Sequence, residues 1–529
     1  MKASVNLLLR FCLPLLLLLA CDKEGTKNES PRNISLGTHL SHEKIVLGKR
    51  LENPYKTINV KSALESLYPT KAGRVDIITT NLYVRFLPIN DAQLTMLQDK
   101  GLTLIDHPLD YQILVEGDYY HDPSVEEGKI TWQYAVVPHD FIFPDDVSYE
   151  LIDECYIPDF SPNAKSEDGI DWEAVEREAY RLTGNESMLE PLTKAEKQNP
   201  SGRITIVDKN ANGGKPVGLA GVRVCCNTFV RIAKTYTDRD GYYKFDEKFS
   251  SDLRYRIIYK NKLGFSIGFN AILVPASVST LGKAPSEGLD FMITEESEAK
   301  LFRRSVVNNA CYEYYSRCSE EDLNISQPPA NLRIWVFPSL EASSAPMLHH
   351  GTILNEIQLN SYWSYCVKIL HVFLPDITIG TQTCTTYQEI YSAVCHELAH
   401  ASHYTKVGND YWNSYIYYIV EAYIKNRNQL YGDGTGERAG YCAVGESWAY
   451  FLQSKMFKDR YGGTMPTFGT SFWFHPQVFR YLNDRGFSIS DLFHVLREDV
   501  NSEEDLKNAL ISNHTSQKQI IEQAFTRYL

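Results

Sequence analysis

The sequence predicts a multidomain α+β chain, and three observations predict it. Its 529 residues suit three or four domains at about 150 residues each. Residues 201–296 read as short β-rich runs between turn residues (ITIVD, GVRVCCN, YYKFD, YRIIYK). From 297 to the end, apolar residues recur mostly at helical spacing. Hydrophobic residues at 43% and charged residues at 22% exclude a disordered or collagen-like chain. The net charge of −13 argues against a nucleic-acid partner, which needs a basic face.

Residues 1–20, MKASVNLLLRFCLPLLLLLA, read as a secretory signal with a basic start, a short apolar core and a small residue at the cut. The apolar run from Phe11 to Ala20 is too short to span a bilayer. Cys21 follows directly. Leu18-Leu19-Ala20-Cys21 resembles a bacterial lipobox. That resemblance implies lipidation of Cys21 and a bacterial cell-envelope location, held to the outer membrane through acyl chains. Asp22-Lys23-Glu24 resembles the acidic export signal of Bacteroidetes surface lipoproteins, which implies exposure at the cell surface. Loss of Lys2 and Arg10 with the signal takes the net charge from −13 to −15. Residues 21–60 are polar and punctuated, and read as a lipidated tether.

Of 11 cysteines, Cys12 and Cys21 belong to the signal and anchor. The remainder is odd, so at least one thiol is unpaired. Cys311 and Cys318 are close enough in sequence to pair, whereas adjacent Cys225 and Cys226 are not expected to bond each other. No Cys-x-x-Cys pair occurs, which excludes a cysteine zinc knuckle.

Residues 61–200 read as an α+β domain. Asn81 to Leu87 alternates like a strand, Asn90 can cap a helix through DAQLTMLQDK, and Gly101 stops it. Leu102 to Ile105 reads as a second strand, giving a β-α-β start; Tyr111 to Val115 and Thr131 to Val137 read as further strands. His107, His121 and His139 are scattered and read as surface or hydrogen-bonded histidines. A prodomain, a docking module and a spacer all remain open here.

In residues 201–296, Gly221-Val222-Arg223-Val224, the run Thr237 to Phe245 and Tyr255-Arg256-Ile257 resemble the carboxypeptidase-regulatory-like domain. The resemblance implies a transthyretin-like β-sandwich with a structural or adhesive role. Asp240-Gly241 reads as its hairpin turn. Asp238 and Asp240 do not make an EF-hand loop, because Tyr236 stands where an acid is needed.

The chemistry lies in residues 297–529. Thr386-Tyr387-Gln388-Glu389 fits a capping box, so a helix is expected through Tyr404. Ile390, Ala393, Val394, Leu398 and Ala401 form its apolar stripe. His396 and His400 are four apart, about 40° around the wheel and one turn along it, so two imidazoles can grip one metal ion. With Glu397 beside them, the run is His-Glu-x-x-His, the zincin signature. A metzincin needs Gly and His where this chain has His403 and Lys406, so that pattern fails.

A zincin needs a third protein ligand. Gly440 to Lys458 reads as an apolar-faced helix carrying Glu446 near its start. Glu446-Ser447-Trp448-Ala449 resembles the Glu-x-x-Ala ligand helix of gluzincins, which implies Glu446 as that ligand. Glu421 is a rival, being 21 residues after His400 and also followed by Ala. His403 shares the helix face of the other two histidines but lies a turn further on. Asp433 and Glu437 complete the alternatives, although the aspzincin order Gly-Thr-x-x-Asp is absent.

The resemblance therefore implies a mostly helical zincin domain with a small sheet, Zn2+ as cofactor, Glu397 as general base and a protein or peptide substrate. The oxyanion donor stays open among His475, His494 and the tyrosines between Tyr404 and Tyr423. Asp376 to Thr381 and Leu332 to Phe337 read as strands of the small sheet. In zincins such a strand often pairs with an extended substrate. The alternative is a surface adhesion or ligand-binding lipoprotein with a non-catalytic zincin-like domain.

Overall fold

The computed structural model describes residues 44–72, 75–117, 119–126, 129–158, 169–189, 198–268, 276–319, 323–351, 375–425 and 431–529. The signal, Cys21 and Asp22 to Glu24 lie outside the described residues. The architecture mixes helices with several separate sheets. Among the described residues no helix is long and apolar enough to cross a membrane.

The described end of the expected tether carries regular structure. Val46–Arg50 pairs antiparallel with Tyr111–Val115, and the helix Thr57–Leu67 follows. Asn81–Leu87 is the centre of an antiparallel sheet, flanked by Gln133–Pro138 and Ser148–Cys155. The helix Asp91–Asp99 starts where the sequence predicts, with the Asn90 side chain accepting from Gln93 N. The β-α-β start does not form. Leu102 to Ile105 contributes only a bridge from Ile105 to Tyr134, and Tyr111–Val115 joins a different sheet from Asn81–Leu87. Strand partners are chosen across long sequence separations, which local alternation does not encode.

Two further sheets carry the middle of the chain. Ser201–Ile206 pairs with Val217–Gly218, Tyr242–Lys244 and Phe291–Ile293. The larger sheet runs through Ile377–Gly380, Arg333–Phe337, Ser266–Gly268, Leu253–Asn261, Val222–Thr228 and Arg231–Tyr236, and Val278–Ala284 also pairs with Leu253–Asn261. It crosses the boundary expected at 296/297. Ser266–Gly268 lies parallel to Arg333–Phe337, which lies parallel to Ile377–Gly380. The two strands expected in a small separate sheet do pair, but as one end of this larger one. A single apolar core likewise extends from Ile204 to Phe525. The helix Ala299–Cys318 packs into it, and Tyr259 bonds through its hydroxyl to Leu301 O and Ser305 Oγ.

Asp240-Gly241 does turn the chain, yet it is a corner between sheets and not a hairpin. Arg231–Tyr236 pairs with Val222–Thr228, whereas Tyr242–Lys244 pairs with Ser201 to Arg203. Asp238 accepts from Asp240 N and Tyr242 N, so its carboxylate closes the turn. Gly241 is required there: its φ is 84°, and a Cβ would stand 2.1 Å from Ile204 O.

The eight cysteines among the described residues, Cys311 and Cys318 included, are free thiols and buried. Cys311 and Cys318 sit seven residues apart on the helix Ala299–Cys318. That spacing separates them by about 10 Å along the axis, beyond the ~7 Å Cα limit for a disulfide.

Two polar joints tie the segments together. Arg460 donates to Asp208 Oδ2 through Nε (3.1 Å) and Nη2 (2.9 Å), and to Glu313 Oε2 through Nη1 (2.6 Å). The Tyr387 and Tyr391 rings lie within 5 Å of its guanidinium. In the second joint, Arg254 Nη1 donates to His107 Nε2 at 2.8 Å, and His107 Nδ1 donates to Asp106 Oδ1 at 2.9 Å. Burial pushes the His107 imidazole down to about 4, because the charged form is desolvated beside Arg254.

Arg460→Met leaves Asp208 buried without its cation, so we expect a loss of about 3 kcal/mol in urea unfolding. A loss below about 1 kcal/mol would show that the joint does not hold the segments. For His107 the folded value lies below the unfolded one, so its neutral form stabilises the fold above about pH 6.5. That contribution, about 3 kcal/mol, declines as pH falls from 6.5 to 4. Urea midpoints of the wild type should therefore fall over this window relative to His107→Gln.

Candidate metal centre

The helix Tyr387–Lys425 starts at the expected cap: Glu389 N donates to Thr386 Oγ1, and Thr386 N donates to Glu389 Oε2. It runs past the expected end at Tyr404 and breaks at Gly408, whose φ of 76° and ψ of −174° are not helical. The break turns the next segment back over the first, placing the Tyr411 and Trp412 rings against His403 and the Trp412 and Tyr415 rings against His400. The helix Ala439–Tyr461 packs along the histidine face.

Three sequence-predicted residues converge. His396 Nε2 and His400 Nε2 lie 3.1 Å apart. Glu446 Oε2 stands 3.4 Å from His396 Nε2, and Glu446 Oε1 stands 3.5 Å from His400 Nε2. The group could hold a metal ion. Glu397 follows His396 directly and is 1% exposed, and its Oε2 has no hydrogen-bond partner among the described residues.

Burial alone would raise the Glu446 carboxyl, but the His400 and His396 imidazoles outweigh it and hold the group below the usual carboxylate range. Burial lowers His396, which favours the neutral imidazole a metal needs. Glu397 moves the other way: burial raises it well above a normal carboxyl, and the Glu446 charge adds to the rise. Two carboxyls pushed apart by their surroundings are suited to different tasks, one to ligation and one to proton transfer.

The other candidates do not join the group. His403 is fully buried, its ring nitrogens lack partners among the described residues, and burial pushes it down to about 3. Glu421 and Glu437 are exposed, and Asp433 is exposed and closes its own turn with Thr435. His475 pairs through Nδ1 with Glu503 at 2.7 Å, and His494 is exposed. Of the tyrosines between Tyr404 and Tyr423, Tyr415 donates to Glu446 Oε1 at 2.5 Å, while Tyr404 donates to Asn409 Oδ1.

Two residues were missed by sequence reasoning. Gln453 Oε1 accepts from His396 Nδ1 at 3.2 Å, and the Tyr450 ring lies 4.3 Å from the His396 ring. Helical spacing gave one available signal: Gln453 is seven residues after Glu446 and shares its face.

The strand Ile377–Gly380 also differs from expectation. Ser344 N donates to Thr378 O and Thr378 N donates to Ser344 O, at 2.9 and 2.8 Å. Gly380 N donates to Ser343 Oγ at 3.2 Å. The outer edge expected to receive an extended substrate is thus paired by the chain itself.

Comparison with models of known protein families gives no match, and comparison with curated proteins gives none.

If the triad holds a metal ion, a divalent ion at about 100 times its Kd should stabilise the fold by about 2.7 kcal/mol. A chelator-reversible rise in the unfolding midpoint would report it, and Glu446→Ala should abolish the rise.

Proposed function

We propose that the protein is a zinc-dependent metallopeptidase of the gluzincin kind. The observation that supports this reading is the convergence of His396, His400 and Glu446 beside buried, unpartnered Glu397. The donor set fits zinc: two imidazoles and one carboxylate leave a fourth position open. Ligands at about 2.0–2.1 Å in a tetrahedron stand about 3.3 Å apart. His396 Nε2 stands 3.1 Å from His400 Nε2 and 3.4 Å from Glu446 Oε2, both close to that edge, and the other Glu446 oxygen stands 3.5 Å from His400 Nε2.

Zinc, when bound, supplies a Lewis acid that lowers the pKa of water to about 7. The chain supplies the rest. His396, His400 and Glu446 would hold the ion. Tyr415 fixes the Glu446 carboxylate by donating to Oε1. Glu397 takes a proton from the attacking water at Oε2 and passes it to the leaving amine, and its raised affinity for protons suits that transfer. The Tyr450 ring against His396 and the Trp412 ring against His400 keep bulk water from the imidazoles.

The same reading includes lipidation at Cys21, attachment to the outer membrane of a bacterial cell envelope, and a protein or peptide substrate. Residues 201–296 then serve as a carboxypeptidase-regulatory-like module. A purely structural metal site is the competing reading, favoured by the burial of all four residues, none more than 3% exposed.

Glu397→Gln separates the two. We expect stoichiometric zinc to remain while cleavage of a peptide library, followed by mass spectrometry, drops by about 10²–10⁴-fold. Wild-type protein that holds zinc yet cleaves nothing would leave only the structural reading.

A further inference from the structure

Gln453 is bound to the metal centre by geometry that the ligand set alone does not require. It lies seven residues after Glu446 on the helix Ala439–Tyr461, about 20° away on the wheel and two turns along. One rigid helix therefore presents both the carboxylate and the amide to the facing histidine helix. Gln453 Oε1 accepts from His396 Nδ1 at 3.2 Å, while Gln453 Nε2 donates to Ser392 Oγ at 2.9 Å. Ser392 stands one turn before His396 on that facing helix, and it is buried. The amide thus spans two points on the histidine helix and is held at both ends.

As placed, the amide turns its oxygen toward the imidazole. With an oxygen facing Nδ1, that nitrogen carries the hydrogen and Nε2 is bare. The bare Nε2 points at His400 Nε2 and Glu446 Oε2. The opposite tautomer would put a proton at the point where the three ligand atoms meet. His400 has no such support, because its Nδ1 is buried without a partner among the described residues. The orientation of the histidine pair is consequently set from the His396 side.

We propose that Gln453 is a positioning residue that selects the Nε2-ligating tautomer of His396 and thereby tightens metal binding. This rests on the zinc reading above. Partners of this kind are worth about 10–100-fold in metal affinity, and a carboxylate in the same place makes the imidazole a stronger donor.

The test is zinc affinity by chelator competition on the full chain, for wild type, Q453L, Q453E and H396A, with unfolding midpoints of the metal-free proteins. Q453L should bind zinc about 10–100-fold more weakly, with its metal-free midpoint near that of the wild type. Q453E should bind a few-fold more tightly than the wild type, a rescue that a packing role would not give. Q453L within threefold of the wild type overturns the proposal, as does Q453E weaker than the wild type. Should Q453L not fold, Q453E decides alone. A wild type with no more zinc affinity than H396A overturns the zinc reading itself, which is a different result from a metal-binding wild type indifferent to Gln453.

Discussion

Glu446 is a carboxylate with no solvent exposure, held between two imidazoles and a tyrosine hydroxyl. A charge in that position is costly unless every side of it is answered. The arrangement around it follows from that demand. The helix break at Gly408 brings Tyr415 within reach of Oε1. The helix Ala439–Tyr461 lies along the histidine helix closely enough for its Glu446 and Gln453 to meet His396. Aromatic rings from Trp412, Tyr415 and Tyr450 pack against the two imidazoles. A pair of helices bearing this much polar chemistry in an apolar core is stable only as a matched set.

That helix pair does not stand alone. The helix Ala299–Cys318 packs against the histidine helix and against Leu253–Asn261, and Ile377–Gly380 touches the histidine helix at one end of a sheet whose strands come from both sides of the 296/297 position. Arg460 continues the same helix that carries Glu446, and it ends on Asp208 and Glu313. The position of Glu446 is therefore linked, through one helix, to a joint formed by three distant segments.

Features encoded by nearby residues were legible in the sequence. The capping box at Thr386, the Asn90 cap and the four-residue spacing of His396 and His400 depend only on helical geometry, which spans a few residues. Glu446 was legible only through a family resemblance, since nothing near it states which helix it will face. The missed β-α-β unit and the corner at Asp240-Gly241 failed for one reason: each depended on which strand another would choose. Cys311 and Cys318 were close in sequence, but a helix holds them apart. Tyr415 and Gln453 acquire their roles only after the chain folds back at Gly408 and the two helices pack.

The shared sheet sets how this protein can be divided. A fragment starting at 297 would keep the helices carrying His396, His400 and Glu446 and lose Leu253–Asn261 and Ser266–Gly268. Arg333–Phe337 would then offer a bare row of backbone donors and acceptors, a template for aggregation. The part of the continuous apolar core that Ile204 to Ile293 cover would also meet water. Recombination or limited proteolysis at that junction therefore yields no freestanding C-terminal piece, and the β-rich middle and the helices carrying His396, His400 and Glu446 must be inherited as one unit.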